Sequence, residues 1–256
     1  MTIPAQTAFY WPHACSAAVS FTFDDANKSQ VEIGVPILDL HRIRGTFYVL
    51  PRALRPELEK WRSAFDAGHE IGNHTMTHPC HRTTRWTRHR PLERFTLERM
   101  EKRELLEANS KLSEMLGVKP ETFAYPCGHT VVGPAGAPQR YSVLVERHFL
   151  VGRGYRSERP VDPATCDLAH VVAVSADDFD EQKALDLVEE TKKSGGWLIF
   201  AAHHIGQRGP GTMDAGLLDR LCAMAADPAN GIWADSVANI GRHIRKQRGL
   251  PASLPS

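Results

Sequence analysis

The chain has no apolar run of 18 residues, so no membrane-spanning helix is expected. The start, Met1 to Cys15, lacks a basic stretch followed by an apolar one and does not read as a signal peptide. As it stands the sequence points to a cytoplasmic protein, with export left open if a leader was removed. Neither sign of charge is in excess. A net charge of +1 supplies no global field to draw in nucleic acid or an anionic membrane, and neither is expected as a partner. Cysteines are few: five, at 15, 80, 127, 166 and 222, with an odd count and no CxxC pair. That argues against a disulfide framework and makes a reducing compartment the simpler reading. Internal repeats and low-complexity segments are absent too.

What is present is an ordinary globular composition, 42% hydrophobic and 24% charged, on a chain of 256 residues that can bury a core without staples. Short apolar, β-branched runs recur at Ala17–Phe23, Gly45–Leu50, Glu70–Asn73, Thr122–Tyr125, Phe149–Arg153, His170–Val174 and Trp197–Ala202. Most are continuously apolar, as strands covered on both faces should be. Between them lie helical patterns. One spans Leu97 to Leu116 and stops at Gly117; another spans Glu181 to Ser194, with Asp180 as N-cap and Gly195 as terminator; Leu217 to Ala226 and Val237 to Ile244 follow. Seven strands alternating with helices predict one parallel α/β domain over 1–256, plausible as a barrel, with an N-terminal extension 1–16 and a frayed tail 246–256.

In such folds chemistry gathers at the C-terminal ends of strands. Polar clusters fall there: Asp24-Asp25 after the first strand, His74 after the third, Pro126-Cys127-Gly128 after the fourth, His203-His204 after the seventh. His74 and His78 are four residues apart and share one face if the backbone turns helically, a geometry for gripping one metal ion. One of the two adjacent aspartates would complete the ligand set while the other faces substrate. Two imidazoles and a carboxylate suit zinc, with cobalt, nickel or iron also compatible. His69, at a strand start, reads as a packing residue. His203 at a buried strand tip is placed for acid–base work. In Tyr125-Pro126-Cys127-Gly128 the Cys127 amide is a candidate oxyanion donor, and its thiol a candidate nucleophile with no evident base. The basic stretch from Cys80 to Arg94 reads as a solvated loop rather than a polyanion site.

Thr22-Phe23-Asp24-Asp25, His74-Thr75-Met76-Thr77-His78-Pro79, Phe123-Ala124-Tyr125-Pro126-Cys127-Gly128 and Leu198-Ile199-Phe200-Ala201-Ala202-His203 resemble, in order and spacing, the motifs of the polysaccharide deacetylase (NodB-homology) family, carbohydrate esterase family 4. The resemblance spans roughly 17 to 245. It implies a distorted (β/α)7 TIM-like barrel and metal-dependent removal of acetyl groups from N-acetylated sugars, or from O-acetylated sugars as in acetylxylan esterases. It implies Asp24 as general base, Asp25, His74 and His78 as metal ligands, His203 as general acid, and the Cys127 N–H as oxyanion donor. The expected partner is an acetylated carbohydrate; oligomeric state is not readable. One departure stands out. The family's third motif often carries an Arg two residues before its Pro, and here that position is Ala124. Arg153 or Arg156 is expected to substitute, with Tyr125 close by. The family's Asp that orients the catalytic His has Asp177 and Asp178 as its nearest candidates. These departures also motivate a reading from another class, a metal-bearing sugar-binding protein with impaired turnover.

Overall fold

In a computed structural model that describes residues 9–84 and 91–251, one all-parallel sheet of eight strands carries the molecule. They are β1 (Ala17–Asp24), β2 (Thr46–Val49), β3 (Glu70–Asn73), β4 (Thr122–Ala124), β5 (Val151–Arg153), β6 (Val174–Ser175), β7 (Trp197–Ala202) and β8 (Ile232–Ala234). The order is β5-β4-β3-β2-β1-β7-β6, with β8 pairing to β1 below the point where β2 takes over. Every residue of β1 is buried. It runs against β7 from Ala18↔Trp197 to Phe23↔Ala202, which is why its sequence is apolar on both faces. Parallel bridges Arg153↔Val171 and Ser157↔Val174 bring the β6 segment back against β5. The curled sheet thereby meets itself, as a (β/α)7 barrel-like single domain requires.

Helices cover the outside, and their ends follow local chemistry. Asp180 caps Glu181–Ser194 by accepting from the Lys183 N–H, and left-handed Gly195 (φ 70°) ends it. Ser236 caps Val237–Gln247 in the same way. Residues 97–116 form one helical run whose middle, Met100–Glu107, is π-helical, and it stops at left-handed Gly117. Phe23 stacks on Phe47 at 5.1 Å, and Phe21 on Phe200 at 5.8 Å, in the core around β1. Burying each such ring stabilises the fold by roughly 1.5–3 kcal/mol.

Three expectations need correction. The sixth strand, expected over 170–174, pairs as a strand only at Val174–Ser175, preceded by the bridge at Val171. Strand β8 was not anticipated. The cysteines are not all unpaired either: Cys80 and Cys127 form a disulfide with Cα atoms 6.1 Å apart, while Cys15, Cys166 and Cys222 are free. The pair is 47 positions apart in sequence, but its members stand on the loops after β3 and β4, which are neighbours in the sheet. The reducing-compartment reading loses its basis with this bond. Parts of three segments, 1–8 of the N-terminal extension, 85–90 of the basic stretch and 252–256 of the tail, lie outside the described residues.

Candidate active site

The strand ends converge on a cavity of about 790 Å³ whose lining includes Asp24, Asp25, His74, His78, Cys127 and His203. Asp24 is the last residue of β1 and is buried. Asp25 begins the turn with a left-handed backbone (φ 76°), its N–H donating to the Tyr48 carbonyl at 3.0 Å. That change of backbone conformation gives the two neighbouring carboxylates different surroundings.

The helical turn that would align His74 and His78 on one face does not form. The chain leaves β3 as a loop in which Thr75 (φ 68°) and His78 (φ 54°) are both left-handed. Side chains hold this uncommon path. Asn73 Oδ1 accepts from the Thr75 N–H at 2.6 Å, and Thr75 Oγ1 accepts from the His78 N–H at 2.9 Å. Buried Glu104, from the 97–116 helical run, takes both the N–H and the hydroxyl of Thr77, at 2.8 and 2.9 Å. The histidines still meet. Nε2 of each lies 3.7 Å from Asp25 Oδ1, and the donor atoms of Asp25, His74 and His78 all fall within 4.8 Å of one another.

This donor set fits a divalent metal. His74 Nδ1 donates to the Ala124 carbonyl at 2.9 Å, which fixes the tautomer and leaves the Nε2 lone pair toward Asp25. Burial, and then the neighbouring His74, hold the His78 imidazole below its usual pKa, and so neutral. Two imidazoles and one carboxylate lining one cavity match the ligand preferences of zinc and its neighbours.

Arg153 stands beside Ala124. The two residues are register partners across β4 and β5, so a guanidinium from β5 lies next to the small residue on β4. Arg153 is fully buried; its Nη2 contacts Asp24 Oδ1 and its Nη1 donates to the Gly154 carbonyl at 3.1 Å. Burial alone would raise the Asp24 pKa. Arg153, with His74 and His203, outweighs it and keeps the carboxyl below the usual range. Arg156 lines the cavity from an exposed, left-handed position (φ 69°). Tyr125 is buried, and its hydroxyl donates to the Ala169 carbonyl at 2.6 Å.

His203 follows β7, the strand paired with β1, and lines the same cavity. Its Nδ1 lies 2.5 Å from Asp177 Oδ2, and its backbone N–H donates to Asp177 Oδ1 at 2.9 Å. Burial pushes the imidazole pKa down, but the Asp177 hydrogen bond and the charges of Asp24, Asp177 and Asp25 carry it up to about 9. Asp178 turns elsewhere, accepting from the Gly211 N–H. Cys127, left-handed (φ 57°) inside the turn Pro126–Gly128, also lines the cavity. Its sulfur is committed to the disulfide, which removes it as a nucleophile.

Some supporting residues carried no readable signal. Buried Gln30 donates to the carbonyls of both Asp24 (2.6 Å) and His203 (2.7 Å), tying the ends of β1 and β7 together. The Tyr155 hydroxyl meets Ser175 Oγ at 2.7 Å and stands 3.5 Å from Asp177, supporting the His203 partner. Glu104 holds the histidine loop, as described. Gln30, Tyr155 and Glu104 sit in unremarkable local patterns, and only the fold brings them in. His69 is structural, as its position suggested: Nδ1 accepts from the Gly45 N–H at 3.0 Å.

Comparison with known proteins bears on the fold and the family. The sequence model of the family described as polysaccharide deacetylase matches residues 13–132. A segment of 94 residues is 30% identical to the uncharacterized protein YlxY of Bacillus subtilis (strain 168), covering 37% of this chain and 26% of that protein. A segment of 63 residues is 38% identical to a chitooligosaccharide deacetylase of Bradyrhizobium sp. (strain ANU 289), covering 24% of this chain and 29% of that one. The matches thus span less than a third of either curated relative. Among solved structures, a Mycobacterium smegmatis protein assigned as a polysaccharide deacetylase superposes with TM-score 0.66 at 22% identity, over 97% of this chain and 96% of that one. A family 4 acetyl xylan esterase from Clostridium thermocellum, in complex with a cobalt ion, gives 0.59 at 17% identity, over 92% and 94%. The peptidoglycan deacetylase PdaC of Bacillus subtilis gives 0.55 at 18%, over 91% and 93%. At these identities the likeness is one of fold.

Proposed function

We propose that the chain is a member of the polysaccharide deacetylase family, whose model matches residues 13–132, and that it hydrolyses the acetamide of N-acetylated sugars, with Asp24 as general base and His203 as general acid. The observation that carries this reading is the pair of proton-transfer groups lining one cavity from neighbouring strand ends: a carboxylate kept ionised by Arg153 and an imidazole kept protonated by Asp177. Their pKa values are pushed apart, which is how acid and base roles are divided at one pH. A divalent metal held by Asp25, His74 and His78, zinc by the nature of the donors, would supply Lewis-acid polarisation of the acetyl oxygen and a lowered pKa for water.

The remaining steps belong to the protein. Asp24 accepts a proton from the attacking water. Arg153 keeps that carboxylate ionised and aimed into the cavity. The Cys127 N–H serves as a donor to the negative oxygen of the tetrahedral intermediate. His203 gives its proton to the departing nitrogen, which would otherwise leave as a poor, strongly basic anion, and Asp177 stabilises the imidazolium beforehand. The Bradyrhizobium chitooligosaccharide deacetylase supports the amide reading.

A second reading, O-acetyl ester hydrolysis at the same residues, is favoured by the fold shared with the acetyl xylan esterase. A binding protein without turnover is disfavoured by the Arg153 and Asp177 contacts, which fill the two departures that motivated it. Acetate release separates the three. The protein is incubated with N-acetylglucosamine oligomers and with acetylxylan, with and without added zinc or cobalt. Release from the oligomers alone supports the proposal, release from acetylxylan alone supports the ester reading, and none from either with metal bound leaves a binder.

A further inference from the structure

The Cys80–Cys127 disulfide lies between two parts of this site. Cys80 is joined to His78 through Pro79, whose ring fixes its own φ, so the place of Cys80 constrains that of the imidazole. The Cys80 sulfur is 3.7 Å from His78 Nδ1, on the side of the ring away from the nitrogen that faces Asp25. At the other end, Cys127 lines the cavity, and its N–H is the oxyanion donor of the reading above. His78 and Cys127 both hold left-handed backbones, φ 54° and 57°. Residues without a glycine's freedom keep such conformations only when their surroundings impose them.

The sheet does little of this work here. Strands β3 and β4 share a single register pair, Asn73↔Phe123, so the ladder ends before either loop begins. Above it the seam is continued by His74 Nδ1 on the Ala124 carbonyl, by the disulfide, and by the His81 N–H on His129 Nδ1 at 3.3 Å. The disulfide is the covalent member of that series.

We propose that the Cys80–Cys127 disulfide is a positioning element for the reaction: it sets where the His78 imidazole and the Cys127 N–H stand, and so makes metal affinity and turnover depend on its oxidation state. The inference rests on the reading of the site given above. A phosphine reductant opens the bond cleanly. The S–S bond breaks, each sulfur takes up an electron and a proton, and the phosphine leaves as its oxide with oxygen from water.

Zinc titration of the full-length, metal-free protein tests this without reference to any substrate. Three samples are compared: oxidised wild type, phosphine-reduced wild type, and Cys80→Ala/Cys127→Ala. Circular dichroism is recorded on each. Loss of a group that orients a metal ligand costs roughly 10- to 100-fold in affinity. We expect the reduced protein and the double variant to lose affinity in that range with unchanged circular dichroism, and reoxidation to restore it in the wild type. Turnover should fall through kcat more than KM. The double variant keeps Cys15, Cys166 and Cys222, so it should not respond to the phosphine. Equal zinc affinity in all three samples would overturn the inference while leaving the metal site standing. Collapse of the circular dichroism on reduction would also overturn it, making the bond a general staple. Failure of the oxidised protein to bind zinc at all would remove the premise and the inference together.

Discussion

Arg153 on β5 and Ala124 on β4 are register partners, and the Arg153 guanidinium reaches past Ala124 to Asp24. The cation at the base carboxylate is therefore supplied by the neighbouring strand. A small residue at 124 and a large one at 153 are complementary: Arg153 is fully buried, and its guanidinium lies 5.0 Å from the Tyr48 ring centre.

Arg153→Met should expose what that pair contributes. Asp24 would remain buried with its main counter-charge gone, and breaking a buried pair this way costs about 3–5 kcal/mol. Burial would then act on Asp24 with less opposition and raise its pKa, so the acid limb of kcat/KM should move to higher pH. The sign for stability follows. A depressed carboxylate pKa contributes stability that is present above its unfolded value, about 3.9, and lost as pH falls through the folded value. The variant should lack that contribution at neutral pH. Adding Ala124→Arg should recover part of both losses, because the register places the new side chain beside the vacated one. An acid limb that stays put in Arg153→Met would refute the role.

Metal binding and proton transfer should separate by mutation. Asp24→Asn keeps the Asp25, His74 and His78 donors, so zinc affinity should change little while kcat falls roughly 100- to 10,000-fold, the range for loss of a general base. His78→Ala removes one donor and should lose zinc outright, with activity following. Undiminished activity after exhaustive chelation of the wild type would sink the metal's part.

Much of this was legible in the sequence, and the exceptions share a cause. Buried parallel strands announce themselves as apolar runs, and the helix ends at Asp180, Gly117 and Gly195 follow from their own residue chemistry. Strand β8 was missed because three residues, Ile232–Ala234, carry too little pattern. The helical condition set for His74 and His78 is not met, because the path there depends on Asn73 and Glu104 satisfying a left-handed backbone, contacts that residue spacing does not encode. The disulfide was missed for a similar reason, since its 47-residue separation becomes short only once β3 and β4 lie side by side. Ligand types are local and readable; what holds them belongs to the fold.

Asp177→Asn tests the acid side of the mechanism. Asp177 accepts from the His203 backbone and meets its Nδ1, and is the first of the groups that raise the imidazole pKa to about 9 against the pull of burial. Asparagine keeps the shape and removes the charge. The His203 pKa should fall toward or below the ordinary value of about 6.5, and the alkaline limb of kcat should shift down with it. The stability sign is opposite to that of Asp24. A raised histidine pKa contributes stability that is fully present below about 6.5 and lost as pH rises through about 9. The metal-free wild type should therefore lose melting temperature across that interval, and Asp177→Asn should be flatter over the same range. Titration of the His203 ring by NMR in both proteins checks the cause directly. A wild-type pKa near 6.5, or one that does not move in Asp177→Asn, would show that the dyad does not hold the proton His203 is proposed to give.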